Sequence, residues 1–387
     1  MKNGDHRMVK LPLEGVKVLD FTHEVAGPHC TMLLGDLGAE IIKVEMPGRG
    51  DRGRHWVGMR ETIFIANNRN KRSITLDLKS EEGRSIAFEL AKKVDVLVEN
   101  FVPGVMKRFG LDYESVKKVN PQIIYCSISG YGQSGPYSDR PAWDPIIEAE
   151  SGLMALTGDP EPCLPSRIPA SIVDNGTGVY AALAIVSALL FREKTGKGQA
   201  IDVSMMDVAT LWAGYWIAYT SLTGEVRERM GSASPVGAPY QVFRTMDSYI
   251  FIAAFEDDHW KRFCLALGLE ELMNDPSFST REKRAENREM LIEKLSGTIC
   301  KWKTKELVSK LIEAGVPCAP VNDTRQVLDH PQLLHRGMIV EFDYKGQKVK
   351  TPGIPFKFSE CQLRIRYPPP ELGQHTEEIL REFGIKK

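Results

Sequence analysis

The repeated alternation of short apolar runs with helix-like segments constrains this chain most. Val16–Phe21 (VKVLDF) and Glu40–Glu45 (EIIKVE) read as buried strands, and Met32–Leu37 between them is apolar and helix-like. Two strands joined through a helix pair in parallel, because an antiparallel pair needs only a tight turn. The unit recurs. Ser80–Lys93 is helical in pattern and opens Ser-Glu-Glu, a capping serine under an acidic first turn. Val94–Glu99 is the next strand, Tyr113–Val119 a short helix and Ile123–Ser127 another strand. The pattern predicts an α/β fold whose large domain is doubly wound and Rossmann-like.

Asp174 opens a long helix through Phe191, followed by a Lys194–Gly198 turn, a strand at Ala200–Ser204 and a helix from Asp207. Near Gly224 the texture changes. Glu225–Gly237 is charged, then small and polar, and reads as a linker or loop. A strand at Tyr249–Phe255 follows, then three helical patterns at His259–Leu267, Asn287–Lys301 and Lys303–Ala314. The last segment has a strand at Met338–Tyr344, prolines at 368–370 and a helix from Thr376. The expected division is therefore a large domain over 1–224, a smaller α/β domain over 225–330, and a segment, 331–387, that returns to the large domain.

Composition excludes several function classes. Lys plus Arg number 50 and Asp plus Glu 51, so no net basic field exists to hold nucleic acid or an anionic membrane. The seven cysteines are dispersed and include no CxxC pair, which matches neither a disulfide framework nor a zinc site. The first ten residues are polar and lack the apolar run of a leader. The longest near-apolar stretch, Gly178–Phe191, is short of a bilayer span and reads as a core helix. A cytoplasmic protein is expected.

GxGxxG, Walker, HExxH and GxSxG signatures are absent. Asp174, in SIVDNGTG, fits a helix cap. It also fits a nucleophilic carboxylate, kept ionised by the helix dipole, with Gly176 and Gly178 leaving room for a ligand. Asn100 and Phe101 directly follow a strand, at the carboxyl edge where open α/β sheets bind ligands. Arg108 could fork a phosphate and Lys79 add a point charge, although both also read as solvated surface cations. His23, after the first strand, fits a general base or a loop histidine satisfied by backbone. The eight histidines show no metal-ligand clustering.

Taken in order, these segments resemble the class III CoA-transferases, the formyl-CoA:oxalate and carnitine CoA-transferase type. The matching pieces are Val18–Thr22 (VLDFT), Ala26–Pro28 (AGP), Leu34–Glu45 (LGDLGAEIIKVE), Asn70–Ser73 (NKRS), Glu99–Gly104 (ENFVPG), Ser129–Gln133 (SGYGQ), Arg192–Gln199 (REKTGKGQ), Ala314–Pro317 (AGVP) and Gly373–Thr376 (GQHT). The resemblance implies catalysis by Asp174 through a covalent aspartyl intermediate. It places CoA contacts at Ala26, Leu76, Lys79, Asn100, Phe101 and Arg108, with Phe109 nearby. It implies an interlocked ring-like homodimer, or pairing with a homologous subunit. The substrates are then an acyl-CoA and a carboxylic acid, coenzyme A entering as substrate, with no prosthetic group and no metal.

Departures from the family pattern bear on the acid. Val25 stands where oxalate-type members have glutamine, Met46 where they have a basic CoA contact, and Gly231–Ala238 lacks their glycine run. With Trp56 and Trp143 at pocket positions, the resemblance implies a bulky aromatic or branched acceptor, with succinyl-CoA the expected donor. Two rivals stay open at this point. An α-methylacyl-CoA racemase-type isomerase shares the fold, but its acid–base histidine is replaced here by Trp143. A non-catalytic CoA-binding subunit would not need Asp174.

Overall fold

The structure is a computed structural model and describes residues 10–160 and 162–385. Residues 1–9, read above for a leader, lie outside the described residues. Two compact units are present. The first comprises residues up to Met154, Arg167–Val226 and Pro331 onward; the second comprises Ala155–Ser166 and Arg227–His330.

The first unit is built on six strands: β1 (Lys17–Asp20), β2 (Glu40–Glu45), β3 (Lys71–Thr75), β4 (Val96–Glu99), β5 (Ile124–Ser129) and β6 (Gln199–Ser204). They form one parallel sheet in the order β3-β2-β1-β4-β5-β6. Successive residues face opposite sides. Val18, Ile41, Val96 and Val98 join the core under helices Ala26–Asp36 and Ile172–Thr195. Leu19, Ile42 and Leu97 join the core under helices Glu81–Ala91 and Thr376–Glu382. The inner strands β1, β2, β4 and β5 are dry on both faces, which is why they read as near-continuous apolar runs instead of alternating ones.

β3 is a strand that the apolar pattern does not announce. Its KRSIT sequence looks like surface, yet Lys71, Arg72 and Ser73 are buried. Charged partners make that possible. Lys71 Nζ sits 3.1 Å from Asp20 Oδ2, and Arg72 pairs with Glu40, Glu378 and Glu382. Helix Ala26–Asp36 is also longer than the Met32–Leu37 pattern, because Gly27 and Pro28 fall inside its first turn. Helix Ile172–Thr195 is long and apolar enough to cross a bilayer by length and composition, but half of its most apolar window is buried inside the fold.

The second unit has an antiparallel sheet of β7 (Tyr240–Arg244), β8 (Tyr249–Ala253) and β9 (Cys318–Pro320), in that order. Helices Asp257–Leu267, Arg288–Ile299 and Thr304–Glu313 bury their apolar stripes on a shared core. Arg284 is fully buried there. It donates to the carbonyls of Ala238, Phe278 and Phe255 and pairs with Asp257. In the first unit β10 (Ile339–Tyr344) and β11 (Gln347–Pro352) form a hairpin through Lys345 and Gly346, both at positive φ.

Candidate active site

The strand order places β1 and β4 side by side although one leads to β2 and the other to β5. Chain connections leave the two strands in opposite directions there, and a crevice opens beyond their carboxyl ends. Asn100 closes its floor. Its Oδ1 accepts the His23 N–H at 2.8 Å and its Nδ2 donates to the His23 carbonyl at 2.9 Å, so the loops after β1 and β4 are tied together. The His23 ring meets Phe101 edge-on at 5.3 Å.

The floor rests on buried charges. Lys43 on β2 donates to the Thr22 carbonyl and pairs with Asp51 at 2.8 Å. Asp20 accepts from Thr22, Thr31 and Lys71. Burial opposes charge on the Asp20 carboxyl, but Lys71 and Lys43 with the two threonine hydroxyls outweigh it and hold its pKa far down. Burial lowers the His23 pKa, with Asp51 pulling the other way. A neutral imidazole therefore faces the cleft, and its buried Nδ1 makes no hydrogen bond among the described residues, so the backbone does not satisfy the ring. A signal for this network was present in the sequence: a lysine inside an otherwise apolar parallel strand, as in EIIKVE, must find a buried partner.

The cleft holds about 1260 Å³, larger than typical small-molecule sites. Its walls include Val25, Ala26, Trp56, Leu76, Lys79, Asn100, Phe101, Phe109, Trp143 and Asp174. Arg108 is exposed on helix Val105–Phe109 and does not line it. Trp56 and Trp143 are each about half exposed. Arg49, Arg52 and Arg140 add cationic groups to the same walls. Arg54 is not among them. It is buried, forks Glu45 with bonds of 2.8 and 2.9 Å, and stacks on Phe64. Among the described residues no three His, Cys, Asp or Glu side chains gather as they would around a metal ion.

Asp174 is the third residue of its helix, not its cap. Ser171 precedes the helix at φ 45° and makes no side-chain cap bond. The first-turn N–H groups of Val173 and Asp174 are taken by Asp144 Oδ2, at 2.8 and 3.0 Å. The helix start thus already has its anion, and the dipole does little for Asp174. Burial, with Asp144 and Glu24 adding repulsion, pushes the Asp174 carboxyl up to about 8. The sequence reading expected the opposite direction. It also expected Gly176 and Gly178 to make room for a ligand. Instead a Cβ at Gly176 would lie 1.9 Å from the Trp212 ring, and one at Gly178 would lie 2.7 Å from the Ala26 carbonyl. Both glycines serve close packing of the elements that carry the site.

Comparison with known proteins identifies the family. The chain matches the family model described as CoA-transferase family III over residues 13–376. It is 41% identical over 376 residues to human succinyl-CoA:glutarate CoA-transferase, covering 96% of this chain and 86% of that protein. It is 38% identical over 380 residues to acetyl-CoA:oxalate CoA-transferase of Acetobacter aceti, covering 97% and 96%. A CAIB/BAIF family protein from Brucella suis superposes with a TM-score of 0.89 at 38% identity, covering 97% of this chain and all of that one. On the family match and these identities, the chain belongs to CoA-transferase family III.

Proposed function

We propose that this CoA-transferase moves CoA from succinyl-CoA to a second, branched or otherwise partly apolar dicarboxylic acid, through a covalent intermediate on Asp174. The observation that carries the reading is Asp174 itself, a desolvated carboxyl of raised basicity on the wall of a cleft large enough for a CoA arm. About a tenth of it is ionised at pH 7, and that fraction is a stronger nucleophile than an ordinary aspartate.

An Asp174 oxygen attacks the thioester carbonyl, the C–S bond breaks, and CoA leaves as thiolate. The product on the enzyme is a mixed anhydride. The thiolate attacks its aspartyl carbonyl, expelling the donor carboxylate and leaving an aspartyl-CoA thioester. The acceptor carboxylate attacks that thioester and releases the thiolate again. Finally the thiolate attacks the acyl carbonyl of the second anhydride, and the Asp174 carboxylate is restored. Every step exchanges one anion for another, so no general base is required. Lys79 at the cleft and Arg108 beside it supply charge for the CoA phosphates, while Leu76, Phe101 and Phe109 offer apolar contact. Trp56, Trp143 and Val25 flank the acid's body, and the Arg49, Arg52 and Arg140 side chains supply charge for its second carboxylate. The two named relatives act on glutarate and oxalate, both dicarboxylates. Trp143 in place of an acid–base histidine disfavours the isomerase alternative.

We further propose a homodimer located in the cytoplasm. Val179, Leu183, Leu190 and Phe191 expose an apolar stripe on the long helix, which a second copy would cover.

The test is transfer from succinyl-CoA to glutarate, methylsuccinate, phenylsuccinate and oxalate, with mass spectrometry of hydroxylamine-trapped enzyme. The Asp174 peptide should carry a hydroxamate, and Asp174→Ala should fold but lose at least a thousandfold in kcat. Turnover near that of the wild type in Asp174→Ala sinks the mechanism. A preference for oxalate over the longer acids sinks the assignment of the pocket.

A further inference from the structure

Beside the long helix two buried carboxyl oxygens, Asp144 Oδ1 and Glu148 Oε1, have no N–H or hydroxyl donor among the described residues. They belong to residues one turn apart on helix Asp144–Glu150, so both side chains project from the same face. Each carboxyl uses its other oxygen to hold backbone. Asp144 Oδ2 accepts the N–H groups of Val173 and Asp174, and Glu148 Oε2 accepts the Ile168 N–H at 2.8 Å. Together they pin the chain on both sides of Ser171, where the helix that carries Asp174 begins.

Carboxyls one turn apart on one helix face come within reach of each other, and each of these presents an oxygen that no other described donor satisfies. That contact needs one proton between two acceptors, since two ionised carboxyls would leave buried charges of one sign in contact. We propose that Glu148 holds this proton and donates it to Asp144, which makes Glu148 a positioning residue for Asp174; the inference rests on Asp174 being the nucleophile. The proton belongs on Glu148 because Asp144 already accepts two N–H donors at a helix start, and Glu148 only one. Burial, with the Asp144 contact, raises the Glu148 carboxyl to about 7. The other charged group facing Glu148 is Arg167, which is exposed. From the neighbouring helix Met205–Trp212 the side chains in the shared core are Met205, Met206 and Ala209, while Asp207 of that helix is exposed.

The consequence for the reaction is geometric. Asp144 lies between Glu148 and the Asp174 N–H, so a bond from Glu148 fixes the backbone on which the nucleophile stands. A displacement of about 1 Å at a reacting group can cost on the order of a hundredfold in rate. Glutamine reproduces the arrangement, since its amide donates to Asp144 while its carbonyl accepts from Ile168. Methionine fills similar space but cannot donate.

The experiment is steady-state kinetics of the full chain at pH 7 with succinyl-CoA and glutarate as probes, comparing E148Q, E148M and D174N. We expect E148Q to keep kcat within threefold of wild type. We expect E148M to lose thirtyfold or more in kcat with KM for succinyl-CoA changed less than twofold, and E148Q to stand as its rescue. A tenfold or greater loss in E148Q means Glu148 is an ionised acceptor and overturns the proposal, whether or not E148M folds. A wild-type kcat in E148M overturns it too. D174N separates the two readings: if it is inactive while E148M is normal, only the positioning role fails, and if it is active, the nucleophile assignment fails.

Discussion

Asp174 combines two properties that a sequence does not show together: a place in the first helical turn and a carboxyl raised to about 8. The sign of its effect on stability follows. An unfolded aspartate titrates near 4. Between pH 4 and 8 the folded chain therefore holds a proton that the unfolded chain has released, and stability falls as pH rises through that window. Asparagine has no such dependence. Asp174→Asn should raise the melting temperature by roughly 2–5 °C at pH 8, where the wild type bears the full cost of charge, and by less than half as much at pH 5. Differential scanning calorimetry at the two pH values decides it, and an equal gain at both would contradict the raised carboxyl. The candidacy of Asp174 was legible in SIVDNGTG. The reason for its basicity was not, because Asp144 and Glu24 lie 30 and 150 residues away along the chain.

Elements rather than single residues explain why β3 escaped the pattern. Its lysine and arginine are buried only because β1, β2 and the Thr376–Glu382 helix bring carboxylates to them. Lys71 Nζ donates to Asp20, to the Pro28 carbonyl and to Asn68, with no exposure at all. Lys71→Met would leave Asp20 as a buried charge short of its principal partner, a change that typically costs about 3–5 kcal/mol. The double variant Asp20→Asn/Lys71→Met should recover more than half of that loss, because it removes the orphaned charge. Urea unfolding midpoints of the two variants measure the difference. Equal destabilisation would show that the pair matters through packing, not charge. The elements that alternate apolar runs with helical patterns were readable in advance, since periodicity is local.

At the scale of the whole molecule, the exposed stripe on the long helix sets the expectation. Val179, Leu183 and Leu190 recur at spacings of four and seven residues, a helical face, and Leu183 is 60% exposed. Sedimentation equilibrium should return twice the chain mass for the wild type. Leu183→Glu/Leu190→Glu should shift it toward the single chain. A wild-type protein that sediments as a monomer would remove the dimer from the proposal.

The sequence by itself determined the class of sheet, because parallel strands buried on both faces leave unbroken apolar runs that helices must join. It also marked Asn100, Phe101 and Asp174, which sit where strands end and a long helix begins. Only the tertiary structure decided which cations face the cleft: Arg54 is withdrawn to Glu45, whereas Arg49, Arg52 and Arg140 remain on its walls. It alone placed Trp212 against Gly176 and set Asp144 and Glu148 on one helix face beside the start of the helix that carries Asp174. The reason is physical. Periodicity is written between neighbours in the chain, but desolvation and the sharing of a proton depend on distances that exist only after the crossovers have closed.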